Sequence, residues 1–130
     1  MKIILPDGWV HPRRYNHAIV AEGRLVFIAG QTPIDQNGQV VATTFIEQAR
    51  QAMRNLVTVL TAAGGEPKYL TRLVWYVTDM DAYHANAKAF GQAYIEIIGT
   101  HLPAMVLAGV TALAQPTVMI EVEGMAVLPH

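Results

Sequence analysis

Val118-Met119-Ile120-Glu121-Val122-Glu123-Gly124-Met125-Ala126-Val127 decides the fold class of this chain. Strand side chains alternate between two faces, so Val118, Ile120, Val122 and Ala126 share one face, and Met119, Glu121, Glu123, Met125 and Val127 share the other. Both faces are largely apolar. A sheet with one side in water shows a cleaner alternation, so the pattern predicts a strand covered on both sides, with two carboxylates under one of the covers. Such a carboxylate is either a candidate general base or a group reaching solvent at a sheet edge, and the strand pattern leaves both open.

Upstream, strand and helix patterns alternate. Residues 1–14, with Pro6, Gly8, Pro12 and two arginines, read as an irregular lead-in around Trp9. Asn16 to Ala21 and Arg24 to Ala29 are apolar, β-rich runs, and Glu22-Gly23 between them predicts a hairpin tip. Asp35-Gln36-Asn37-Gly38 is a turn signal, after which Gln39 to Val41 can add a short strand. Ala49, Ala52, Met53, Leu56, Val57 and Leu60 recur at helical spacing, with Thr43 or Thr44 as N-cap, Glu47 at the capping-box position if the cap is Thr44, and Gly64-Gly65 as the stop. Leu70 to Val77 is the next strand, with Trp75 and Tyr76 on opposite faces. Tyr83, Ala87, Phe90, Tyr94 and Ile97 or Ile98 form the stripe of a second helix, and Ala104 to Val110 is a further strand apolar on both faces. Two helices and a mixed sheet of five to six strands predict one two-layer α+β domain over residues 1–130, with the helices on one face. The sheet's other apolar face then needs a partner.

Composition points the same way. Only 15% of the 130 residues are charged, against about 25% in a typical soluble domain, while 52% are hydrophobic. Oligomerisation accounts for that shortage. The longest uncharged stretch, Ile97 to Ile120, is interrupted by His101, Pro103, Gly109, Gln115 and Pro116, which excludes a single membrane-spanning helix. A net charge of -1 with scattered Lys and Arg gives no footprint for nucleic acid or an anionic membrane. The absence of cysteine excludes disulfides and thiol nucleophiles, and the apolar run at the N-terminus is too short for a secretory signal, so a cytoplasmic location is expected. Serine is absent as well, which removes the other common covalent nucleophile. The five histidines form no His-x-x-x-His or His-x-His pair, so no metal site is expected. General acid-base chemistry by Glu, His or Tyr on bound water remains.

Taken in order, Ala29-Gly30-Gln31-Thr32-Pro33, Gln48-Ala49-Arg50-Gln51-Ala52, Leu102-Pro103-Ala104 and Ile120-Glu121-Val122-Glu123 with Ala126-Val127 resemble the Rid (RidA/YjgF) family of enamine and imine deaminases. The resemblance runs from about Tyr15 to Val127. It implies a chorismate-mutase-like two-layer α+β fold, a homotrimer whose sheets surround a central barrel, and a small-molecule pocket in each cleft between subunits, without a cofactor. It also implies roles: Tyr15 matches the family's active-site tyrosine, Glu121 its catalytic, water-positioning glutamate, and the Gly30-Gln31 backbone holds the oxygen end of the substrate. Typical members carry a serine, an arginine, a cysteine and an asparagine where this chain has Ala29, Met105, Leu107 and Ala87, with Asn86 one residue off. His17 stands where glutamine is common in the family.

Replacement of the arginine matters most, because in the family it pairs with the substrate carboxylate. A carboxylate buried against Met105 has no donor and loses its solvation, so ordinary 2-imino acids are expected to be poor substrates. Either Arg13 or Arg14 beside Tyr15 supplies a cation from another direction, although arginines in a proline-rich lead-in read as solvated, or the substrate has no carboxylate at that end, which is the preferred reading. The Pro103-Ala104-Met105 variant resembles an arginine-lacking branch that includes 2-aminomuconate deaminase-like members. A non-catalytic trimer that binds a small molecule, or acts as a chaperone, is the alternative expectation.

Overall fold

The computed structural model describes all of residues 1–130. Its strands and helices run β1 (Lys2–Ile4), β2 (Ala18–Val20), β3 (Arg24–Gln31), α1 (Phe45–Ala62), β4 (Leu70–Val77), α2 (Met80–Ala85), α3 (Ala87–Ile97), β5 (Ala104–Gly109) and β6 (Ile120–Leu128). β3, β6, β4 and β5 form a four-stranded mixed sheet in that order. β6 lies antiparallel to β3 on one side and to β4 on the other, and β5 joins β4 in parallel. The strand with apolar residues on both faces therefore lies between two others and not at a sheet edge, but within one chain only its Ile120, Val122 and Ala126 face is covered.

The helices cover one face. Ala49, Ala52, Met53, Leu56 and Leu60 of α1 are fully buried and pack with Leu73, Trp75, Val77, Ile120, Val122 and Ala126 of the sheet, while α3 adds Phe90, Ala93 and Tyr94. Trp75 sits edge-on to Phe90 with ring centroids 5.0 Å apart, a favourable aromatic arrangement. Gln48 is the buried polar residue of α1. It donates from Nε2 to the carbonyls of Ala42 (3.1 Å) and Thr117 (2.8 Å) and accepts at Oε1 from the Met119 N–H (2.7 Å). These bonds tie α1 to the entry of β6, which starts at Ile120, later than Val118, because Met119 N–H is spent on Gln48. The other sheet face is open: Phe27 is 71% exposed and Leu25 58%. No helix is long and apolar enough to cross a membrane.

Several expectations are corrected. The sheet has four strands, not five or six, because β2 does not pair with β3; it pairs with β1, inside the supposedly irregular lead-in, as a separate two-stranded sheet. Glu22-Gly23 is thus a passage between sheets. Gly23 has φ of 148° and a Cβ there would collide with the Leu128 carbonyl, so the glycine serves the close approach of β3 to β6. Gln39 to Val41 yields only an isolated bridge between Ile34 and Val40. The second helix is two helices, broken at Asn86, whose Nδ2 donates to the Ala82 carbonyl at 2.8 Å and ends α2. Of the capping box at Thr44, one half forms: its hydroxyl accepts from the Glu47 N–H at 3.3 Å.

Candidate active site

The Glu121 cluster depends on an irregularity in β3. Ile28 pairs with Gly124 and Gln31 with Val122, so Ala29 and Gly30 together stand opposite Glu123. Such a bulge bends its strand and re-aims the local backbone. Here it lays Gly30 on the Glu121 side chain: a Cβ at position 30 would lie 2.7 Å from the carboxyl carbon and 3.0 Å from Cγ. Only glycine fits. α1 fixes the segment that follows, with Asn55 Nδ2 donating to the carbonyls of Thr32 (2.8 Å) and Ile34 (2.9 Å), and Gln51 Nε2 donating to Asn55 Oδ1 (3.0 Å). Gln31 turns back on the bulge, its Nε2 donating to the Ala29 carbonyl at 3.1 Å.

Tyr76 of β4 lies in register with Glu121, yet its hydroxyl donates to Glu123. That bond, then burial, then the negative charge of Glu123 and Glu121 raise the Tyr76 phenol above its ordinary value, against a smaller pull from Arg72. The two carboxylates are thereby told apart. Glu123 is engaged, whereas Glu121 has no side-chain hydrogen bond or ion pair within the chain.

Met105 and Leu107 belong to a different place. Met105 is in register with Leu73 and Leu107 with Trp75, on the face that the helices cover, and Trp75 Nε1 donates to Met105 Sδ at 3.3 Å. They floor a cavity of about 610 Å³ whose walls include Trp75, Phe90 and Tyr94 and whose lining includes Arg13, Arg14 and Tyr15. Asn16, 8% exposed, pins the lead-in there: its N–H donates to the Pro103 carbonyl (3.2 Å), its Nδ2 to the Leu102 carbonyl (2.5 Å), and it bridges Ala104 in parallel. On the far wall Tyr94 donates to the His101 carbonyl (2.8 Å) and His101 Nε2 to the Leu70 carbonyl (2.7 Å), which fixes the α3–β5 loop. Burial raises the Tyr94 phenol far above its usual range. Ala87 is half-buried one turn before Gly91, another residue of the lining. His17 is exposed, its ring edge-on to Tyr15 (5.3 Å) and Trp9 (5.0 Å).

The model of the endoribonuclease L-PSP family matches residues 10–128. The chain belongs to this family, that of the Rid proteins. A Rid protein of unknown function from Yersinia pestis superposes with a TM-score of 0.85 at 33% identity, covering 98% of both chains. A RutC family protein from Pyrococcus horikoshii is 36% identical over 113 residues, 86% of this chain and 85% of its own. The mouse 2-iminobutanoate/2-iminopropanoate deaminase is 29% identical over 114 residues, 87% of this chain and 80% of its own. The α+β Rid fold implied by the sequence motifs is the observed one.

For a Rid protein, the notable point is that the residues expected to form one pocket lie on opposite faces of the sheet. Registered partners share a face, so Glu121, Tyr76 and Ala108 are on the open side, and Val122, Trp75 and Leu107 are under the helices. Glu121 and Gly30 are in contact, with Ala29 and Gln31 flanking Gly30 in β3 and Gln31 itself in register with Val122; Tyr15, Met105 and Leu107 form the other group, with His17 and Ala87 at its margin. Glu121 does not line the cavity. Sequence reasoning underrated two contributors, which it had named as alternative cations, and missed a third. Arg13 and Arg14, read as solvated lead-in, line the cavity beside Met105, and Tyr76 sorts the two carboxylates. The nearness of both arginines to Tyr15 was the available signal for the first two; for Tyr76 there was none, because cross-strand register is absent from a single strand's pattern.

Proposed function

We propose that this Rid protein is a hydrolytic deaminase of a reactive enamine or imine, working as a homotrimer in which one subunit's Glu121 group faces its neighbour's Met105 cavity. The observation that carries this reading is Glu121 itself: half-buried, held against the bare Gly30 backbone, and free of any partner while Glu123 next to it is bonded by Tyr76. Water held by Glu121 gives up a proton as its oxygen adds to the C=N carbon, and the nitrogen takes up a proton. The resulting carbinolamine collapses to a carbonyl compound and ammonia. Tyr15 hydrogen-bonds the departing nitrogen, backbone groups at Gly30 and Gln31 hold the oxygen, and His17 stands close enough to Tyr15 to assist proton transfer. Met105, Leu107, Ala29 and Ala87, in place of the polar residues of typical members, shape an apolar pocket. A relative named as a 2-iminobutanoate/2-iminopropanoate deaminase supports the reaction class. Met105 argues against the same substrates, since it offers no charge to a 2-carboxylate.

The test is to generate 2-iminopropanoate and, separately, 2-aminomuconate in situ and follow the loss of their absorbance with added protein. Slow or no turnover of the first is expected; turnover of only the second, which carries a further carboxylate remote from its nitrogen, would support a specialised deaminase, and Glu121→Gln should abolish any turnover while leaving the oligomer intact. Full activity in that variant defeats the mechanism. The engagement of Met105 Sδ by Trp75 favours a second reading, a trimer that binds a small apolar molecule without chemistry. Competent binding with no turnover of a broad panel of imines would establish it. Cleavage of RNA, which the family's description names, has little support here, because Lys and Arg total 9 against 10 acidic residues, with no basic stripe for phosphates.

A further inference from the structure

The geometry points to a specific ligand class for the cavity between α3 and β5: a monocarboxylate with an apolar chain or ring, its body in the depth and its carboxylate at the mouth between Arg13 and Arg14. As a statement about substrate it rests on the deaminase assignment, and it then puts the substrate's carboxylate remote from the C=N group; as a binding site it stands on the cavity alone. The volume of about 610 Å³ is that of a small-molecule site. Two of the polar groups that line it are already engaged. The Trp75 indole N–H is spent on Met105 Sδ and the Tyr94 hydroxyl on the His101 carbonyl, so an anion placed there would lose its water and find no free donor from either. Beside Gly91 of α3, another residue of the lining, the space is open: a Cβ at that position would meet nothing within 4 Å, so a larger side chain there has room to fill the cavity.

The mouth is the reverse. Arg13 and Arg14 are the charged residues of the lining, both are exposed, and neither is in an ion pair. Two adjacent guanidinium groups with no carboxylate of their own are complementary to a carboxylate, and Asn16 anchors the segment that carries them to the first residue of β5. The cations are thus part of the site's frame.

Calorimetric titration of the purified full-length protein with butanoate, hexanoate and octanoate, and with octanol and octylammonium, tests this. Affinity should rise about fourfold per added methylene along the acids. Octanoate should bind about fivefold more tightly than octanol, as partly exposed ion pairs allow, with the margin shrinking in salt. Octylammonium should bind worst. The double variant Arg13→Gln/Arg14→Gln should bring octanoate to the level of octanol, and Gly91→Leu, a change that favours helix, should remove octanoate binding without lowering Tm. Affinity independent of chain length, or octylammonium matching octanoate, overturns the inference. Because Glu121→Gln should still bind octanoate, the two ideas fail separately. Octanoate binding without turnover of any imine sinks only the deaminase, and Glu121-dependent turnover without octanoate binding sinks only the ligand class.

Discussion

At the scale of single residues, Gly30 is the position where the smallest change tests the most. A methyl group there must displace the Glu121 carboxylate, and the backbone at this glycine needs no left-handed conformation, so the fold tolerates alanine. If Glu121 has the proposed catalytic role, Gly30→Ala is expected to lower kcat by about a hundredfold, the usual cost of moving such a group by an ångström, with Tm nearly unchanged. Equal loss of activity and Tm would show that Gly30 serves only packing. Tyr76 and Tyr94 give a pH prediction. Both hold their protons in the folded chain above the ordinary phenol value of about 10, so the unfolded chain releases protons first as pH rises. The stability they contribute is complete below that value and is lost as pH climbs through the folded ones. Thermal midpoints measured from pH 8 to pH 12 should fall above about pH 10, and Tyr94→Phe should flatten that fall while costing about 1 kcal/mol at neutral pH for the lost bond to His101. The Gly30 to Glu121 contact was legible only through motif resemblance. Each residue is ordinary in its own strand, and what joins them is a bulge, which no alternation pattern encodes.

At the scale of elements, α1 is both a core helix and a clamp. Its apolar stripe was readable from spacing alone, but its polar residues carry the placement of the site: Gln48 fixes the entry to β6 and Asn55 fixes the segment after β3. Gln48→Leu keeps the volume and strands two carbonyls and an N–H, for a cost of about 3 kcal/mol, or roughly 10 °C in Tm by thermal unfolding. A change under about 2 °C would mean that water replaces the glutamine. The two misread elements share a cause. Glu22-Gly23 has hairpin chemistry and the aromatic spacing from Tyr83 to Tyr94 has helical period, yet in both places another contact decides, the distant Leu128 carbonyl against Gly23 and, within the helix, the Asn86 amide on the Ala82 carbonyl. Local preference is a weak guide where a distant strand or a polar side chain supplies the stronger bond.

At the scale of the molecule, the sequence announced an uncovered apolar face and the structure locates it. Phe27, Leu25 and Val106 are 71%, 58% and 47% exposed, and burying a phenylalanine alone is worth about 2 kcal/mol or more. Phe27→Asp should convert the proposed trimer to monomers of 14.2 kDa in light scattering after size exclusion. If the proposed trimer is the working unit, imine turnover should vanish with it, since Glu121 and the cavity lie on opposite faces of one chain. A fully active monomer would remove the shared-site scheme. The division of the site was illegible for the reason that the face of Met105 relative to Glu121 depends on two registers, β5 on β4 and β4 on β6, and the sequence holds neither. The place of β6 also bears on how the protein is made. Its residues 120–128 are the wedge between β3 and β4, so a nascent chain still lacking them has two sheet strands with no partner between them and a helix stripe with half a floor. Synthesis from the N-terminus thus yields no settled intermediate on the ribosome: the sheet closes in one late, long-range event, and until then the exposed strands are clients for whatever holds unfinished chains apart.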